Sequence, residues 1–243
     1  MLAIDESKLY SLIEIFKEGF KENFLEEKYK WEAVKHFQDN WNIDAEDFPT
    51  MLSNALSKTG NLLAALNFFP RRMIKQYATR FPKEVKGLFE GLFNESSDLK
   101  ERIDAFIAGI EYIHKQWDGN GTLNHYQTFN AVSTYLWLRY PDKYYIYKPS
   151  VAKLMFEKLG VDMKLTPLRA NAVIKTYELY DYISKTLCKD NEFKKMLVES
   201  LADTCYSDEF MVTAAIDLGY YFKKQQQKNE IKKREATCSD NFP

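Results

Sequence analysis

Two stretches of the chain bring cations and aromatic rings together at spacings that suit a phosphate-bearing ligand. The first follows Pro70 and holds Arg71, Arg72, Lys75, Tyr77 and Arg80. In a helix that starts at Pro70, Arg71, Lys75 and Thr79 share a face, with Arg72 about 100° further round the axis. Such a face would meet phosphates, assisted by the unpaired N–H groups of the helix start. The alternative is an ordinary solvated face. The second stretch, residues 139–148, reads RYPDKYYIYK. Its tyrosines, Tyr144 among them, would stack on bases or line a pocket while Arg139, Lys143 and Lys148 meet phosphate. The competing reading is a buried strand with Tyr145 and Tyr147 in the core, because strand alternation turns one side inward.

Catalytic chemistry has little to stand on. His36, His114 and His125 are far apart and form no HExxH or other ligand spacing. His125, with Tyr126 beside it, follows a glycine-rich loop and is a candidate polar or base contact. GxSxG, Walker A and GxGxxG patterns are absent from the sequence. A PD-(D/E)xK nuclease needs a strand carrying Asp and Glu-x-Lys. Pro141-Asp142 is present, but the residues that follow supply no acid. Three cysteines, an odd number without CxxC spacing, exclude a cysteine-built zinc site and point to free thiols in a reducing, cytoplasmic compartment. No catalytic residue, metal site or cofactor is assigned on these grounds.

The elements that must position these residues read as helices. Only 9 Gly and 7 Pro in 243 residues argue against a loop-rich β protein, and 45% hydrophobic with 28% charged residues is a globular balance. A net charge of −1 means that any basic surface is local. Helical spacing runs through residues 7–24, 70–80, 82–93, 126–139, 151–159, 166–188, 191–202 and 208–224. Ser96 or Ser97 is the expected cap of a long helix beginning near Leu99, and Ser150 that of the helix after it in the tyrosine-rich region. The four tryptophans are scattered through helical stretches and read as core. The fold class is mainly α, a compact multi-helix domain with at most one or two short strands near residues 143–148. Asp118-Gly119-Asn120-Gly121 is the strongest loop signal. It divides an N-terminal helical half, 1–118, from a C-terminal half, 122–224, packed against it. Residues 225–243 read as a polar tail or linker. No run of apolar residues is long enough for a membrane span.

Residues 124–159, NHYQTFNAVSTYLWLRYPDKYYIYKPSVAKLMFEKL, resemble the N-terminal region that precedes the motor in many McrB-type AAA+ proteins of type IV, modification-dependent restriction systems. The stretches YKWEAVKHFQ (29–38), FPRRMI (69–74), LFNESSDL (92–99) and LYD (179–181) resemble that region too. The resemblance implies a target-recognition role on double-stranded DNA, modified or not, with an AAA+ motor domain or a McrC-like nuclease subunit as partner. It carries neither GTPase nor nuclease activity to this chain, which has no motif for either. Residues 140–148 also faintly resemble the helix–strand–helix segment of helix-hairpin-helix glycosylases, but Lys148-Pro149-Ser150 stands where that pattern wants an Asp. The readings in contention are a DNA-recognition module, a protein-interaction adaptor in a bacterial defence complex, and an enzyme whose site is assembled from scattered polar residues.

Overall fold

Aspartate side chains and prolines set where most of the helices begin. The computed structural model of the chain describes residues 2–117, 124–162 and 169–239, with side chains as far as residue 232. Among those residues there are eleven α-helices and a 3-10 turn at Gly60–Leu62, and the β pairing is confined to an isolated bridge between Ala65 and Phe68. Asp5 caps α1 (Glu6–Glu27) by accepting from the Lys8 amide, and α2 (Tyr29–Asn40) follows after one residue. Asp47 caps α3 (Phe48–Ala55) through the Thr50 amide. Prolines open α4 (Pro70–Arg80) and α5 (Pro82–Phe93), where a missing N–H costs nothing. Asp98 caps α6 (Leu99–Gln116), accepting from the amides of Lys100 and Glu101 at 2.9 and 3.2 Å. The serines expected in that role sit upstream, because the aspartate satisfies two orphan donors at once.

The later helices are α7 (Phe129–Arg139), α8 (Pro149–Lys158), α9 (Ala170–Leu187), α10 (Asn191–Ser200) and α11 (Val212–Ser239). Pro149 opens α8, so Ser150 lies inside the first turn and makes no cap. The chain turns into α7 through Tyr126 at φ 57°, three residues later than the apolar spacing suggests. Asp208 fixes the start of α11: at φ 53° its buried carboxylate accepts from the amides of Thr213 and Ala214, and from the Trp31 indole. Phe210, inside the helical stretch read at 208–224, therefore falls before the helix and is exposed. α11 then runs on through residues 225–239, which read as a tail. Lys, Gln and Glu there are good helix formers even without an apolar stripe.

α7 is the central helix. Residues 131–138 are all buried, as suits a helix covered on every side. α2, α5, α6 and α9 pack against it. α4 lies on α3 and α5, while α11 packs on α1, α8 and α9. Helices from before residue 118 and after residue 122 thus share one continuous hydrophobic cluster that draws on all eleven. Trp31 and Trp137 are fully buried in it. The loop signal at 118–121 lies outside the described residues. No helix among the described residues is long and apolar enough to cross a membrane.

Residues 144–148 form no strand. The backbone groups of Tyr147 go instead to side chains of α7: its N–H donates to Ser133 Oγ and its carbonyl accepts from Asn130 Nδ2, both at 2.9 Å. A buried backbone needs partners, but they need not be another strand.

Candidate nucleic-acid interface

The first basic stretch survives folding as a surface. On α4 the apolar residues Met73, Ile74, Tyr77 and Ala78 turn inward, which leaves Arg72, Lys75, Gln76 and Thr79 outward at helical spacing. Together with Ala64, Phe69 and Arg71 they line a groove of about 400 Å³. Arg71 and Arg72 both reach it although they sit on neighbouring faces. The Arg71 guanidinium is steadied at 3.0 Å by the carbonyl of Ser57, just beyond the C-terminal end of α3. No carboxylate lines this groove, and none of Arg71, Arg72, Lys75 and Arg80 forms an ion pair with a described residue. Arg80 is exposed at the end of the same helix but does not line the groove.

His125 and Tyr126 back onto this surface. The Tyr126 ring packs edge-on against Phe69 and Phe68, at 5.6 and 6.4 Å between centroids. The next residue, Gln127, is buried and donates to the carbonyl of Pro70, the first residue of α4. His125 accepts the Gln127 amide on Nδ1 at 2.9 Å, which fixes that nitrogen as an acceptor. Burial, followed by the nearby His114, lowers its pKa, so its ring is neutral at pH 7. His114 is itself bonded to the Tyr77 hydroxyl. These residues brace the groove from behind.

The second basic stretch does not join it. Tyr144, Tyr145, Ile146 and Tyr147 are all buried. Lys143 pairs with Glu95, which also accepts from the Tyr144 hydroxyl at 2.8 Å, and Arg102 donates to that hydroxyl at 2.7 Å. Arg139 lies over the Tyr140 ring, 5.0 Å from its centroid. Tyr145 stacks on Tyr180 with ring centroids 5.4 Å apart.

Lys148 has a separate setting. It borders a cavity of about 610 Å³ lined by Glu27 and Tyr29, by Asn61, Leu62, Ala65 and Phe68, and by Asn130, Pro149, Ser150 and Tyr220. The Lys148 ammonium lies 5.1 Å from the Tyr220 ring centroid. Partial desolvation of its ammonium, then the neighbouring Lys30 and Lys223, push its pKa below the ordinary lysine value, although the side chain remains exposed. Beneath the cavity Lys30, with no exposed surface, is bonded to Asp217 and pairs with Glu27 at 3.0 Å. Asn23 donates to the other oxygen of Asp217 at 2.8 Å. Burial penalises the Lys30 cation, yet Asp217 and Glu27 outweigh it and hold its pKa above the usual value. Lys30, Asp217 and Asn23 thus form a buried hydrogen-bonded network.

No family model, curated protein or solved structure matches the chain.

The cavity and its supporting charges were missed in the sequence, although part of the signal was there. Lys30 stands on the stripe Lys30, Ala33, Val34, Phe37 that α2 buries. Asp217 interrupts the run 211–219, every residue of which is buried. A lysine on an apolar stripe and an aspartate inside an apolar run are complementary breaks in pattern, and buried charges of this kind are paired.

Proposed function

We propose that the chain is a DNA-recognition module, the specificity part of a McrB-like, modification-dependent restriction system, non-catalytic by itself. One observation carries the reading. On a molecule of net charge −1, where many lysines have a carboxylate within 4.0 Å, three cations share a single groove with no acid in it. Uncompensated guanidinium and ammonium groups in a concave, partly apolar setting suit phosphate oxygens, and Phe69 offers a ring edge beside them. The likeness of residues 124–159 to the McrB-type N-terminal region supports the same reading, and an AAA+ motor or a McrC-like nuclease would then supply the chemistry that this chain lacks.

Fluorescence anisotropy with plain, methylated and hydroxymethylated duplexes tests it. Binding is expected at about 50 mM salt and should weaken steeply above that, since each phosphate contact releases about 0.9 of a counterion. Replacing Arg71, Arg72 and Lys75 by Ala should flatten the log–log salt slope by about 2.7. Absence of binding to every duplex, or affinity indifferent to the triple replacement, would overturn the proposal. A second reading, a protein-interaction adaptor, draws on Leu66, which is 94% exposed on the loop beside Phe69. Salt-independent association with a nuclease or motor subunit, lost on Leu66→Asp, would favour it.

A further inference from the structure

The cavity beside Lys148 belongs to neither reading, and its chemistry is specific. Its volume of about 610 Å³ lies in the range of small-molecule sites, roughly 300–1,000 Å³. Its walls combine apolar side chains (Leu62, Ala65, Phe68, Pro149) with the rings of Tyr29 and Tyr220. A small set of polar groups completes it, the usual composition of a ligand pocket.

Its charge has a sign. Glu27 is the carboxylate in the lining, and it is already engaged by Lys30 at 3.0 Å and approached by Lys224 at 4.0 Å. The Tyr29 phenol also lies against it; burial first, then the Glu27 charge, pushes that phenol up. Lys148 has no carboxylate within 4.0 Å among the described residues; it lies over the face of Tyr220, and Glu27 attracts it at longer range. Lys30 lies 4.5 Å from the centroid of the same ring, but its charge is taken up by Asp217 and Glu27, so the positive potential at the cavity comes from Lys148. The side chains of Asn61 and Ser150 make no hydrogen bond to another described residue and supply donors at the rim. The whole rests on the Lys30–Asp217–Asn23 network, which holds its floor in place.

We propose that this cavity is a binding site for a small organic anion that carries one phosphate or carboxylate on a planar body. The anionic group sits on Lys148, with Ser150 and Asn61 as further donors. The planar body lies against Phe68, Tyr29 and Tyr220. An anion at Lys148 would give a counter-charge to an ammonium that has no carboxylate within 4.0 Å among the described residues.

Isothermal titration of the full chain tests this with five probes: adenosine and guanosine monophosphate, adenosine, indole-3-acetate and inorganic phosphate. A monophosphate or the indole acid is expected to bind at least about tenfold tighter than adenosine or phosphate alone, because each of those lacks one half of the recognised chemistry. The two positive arms distinguish a nucleotide from an aromatic acid. Lys148→Met keeps the apolar stem of an exposed side chain and should lower affinity by about tenfold or more. Its thermal melt, unchanged, would show that the fold survives. Tyr220→Leu provides a second variant that removes the ring and leaves the lysine. The Arg71, Arg72, Lys75 triple variant should bind the probe as the wild type does, which separates this site from the groove. The proposal is overturned if no probe binds at millimolar concentration, if phosphate alone binds as well as the organic anions, or if Lys148→Met leaves affinity intact.

Discussion

Residues 70–80 and 139–148 have nearly the same ingredients, cations interleaved with tyrosines, and opposite fates. The difference lies in the backbone and in the neighbours. α4 has a 3.6-residue period, so it sends Met73, Ile74 and Tyr77 inward while Arg72 and Lys75 stay outside. Its neighbour α3 leads to a carbonyl, Ser57, which steadies Arg71 without cancelling its charge. Residues 144–147 have no period and are all buried, while Lys148 at their end is exposed. The turn after α5 brings Glu95 to Lys143, and Arg102 of α6 reaches Tyr144. A cation-and-aromatic composition therefore leaves an open basic face here only where the backbone separates the two kinds of side chain and no carboxylate lies in reach.

The largest test of this contrast is a pair of truncations. Tyr147→Ala removes a fully buried ring and should cost about 3–5 kcal/mol in urea unfolding, with duplex affinity unchanged in the fraction that remains folded. Arg72→Ala should change stability by no more than about 0.5 kcal/mol while weakening duplex binding. A stability loss at Arg72, or a binding loss from Tyr147 in folded protein, would erase the distinction between the regions.

Acid offers a smaller test. Glu95 is partly buried, which alone would raise its pKa, but hydrogen bonds from Lys143 and Tyr144 win and hold the carboxyl below its ordinary value. Its contribution to stability is thus complete above the unfolded value of 4.5 and fades as pH falls through the lower folded value. The pair is half exposed to solvent, so the effect should stay under about 1 kcal/mol. Glu95→Gln should remove that part of the acid-side slope in pH-dependent unfolding. An Arg72→Ala control, with no acid partner to lose, should leave the slope as it was.

The helices were legible because apolar spacing marks their course and prolines mark some of their starts, as at Pro70 and Pro82, whereas Asp98 caps α6 where a serine was expected. The α4 face was legible for the same reason, since helical spacing alone decides which way Lys75 points. The pairing of Lys143 was not, because Glu95 lies 48 residues upstream and only tertiary packing brings it near. The end of α11 was misread because it has helix-forming composition and no apolar stripe, and spacing was the signal in use. The cavity was hidden for a topological reason: its lining comes from five separated segments, around Glu27, Leu62, Asn130, Lys148 and Tyr220. Only the pattern breaks at Lys30 and Asp217 pointed to it.

The smallest expected effect links the surface that stayed outside to the lysine that did not join it. The segment from Asn61 to Phe69 faces both: Asn61, Leu62, Ala65 and Phe68 line the cavity, while Ala64 and Phe69 line the groove. Ala65 and Phe68 exchange two backbone hydrogen bonds, 2.9 and 3.0 Å long, so this turn moves as a unit. An anion that seats a planar body on Phe68 therefore restricts the same turn that carries Phe69 to the edge of the basic groove. Saturating the cavity should change duplex affinity by about two- to fivefold, and the duplex must change affinity for the anion by the same factor, because coupling between two sites is reciprocal. Titrating each ligand in the presence and absence of the other measures both factors. Replacing Phe68 by Ala should bring them towards one while the α4 cations still bind. Equal factors that vanish in that variant place the coupling in the turn. Factors that persist there would mean that the regions communicate through bulk electrostatics, since Lys148 and the α4 cations then sense the same added charge, and raising the salt concentration would abolish them instead.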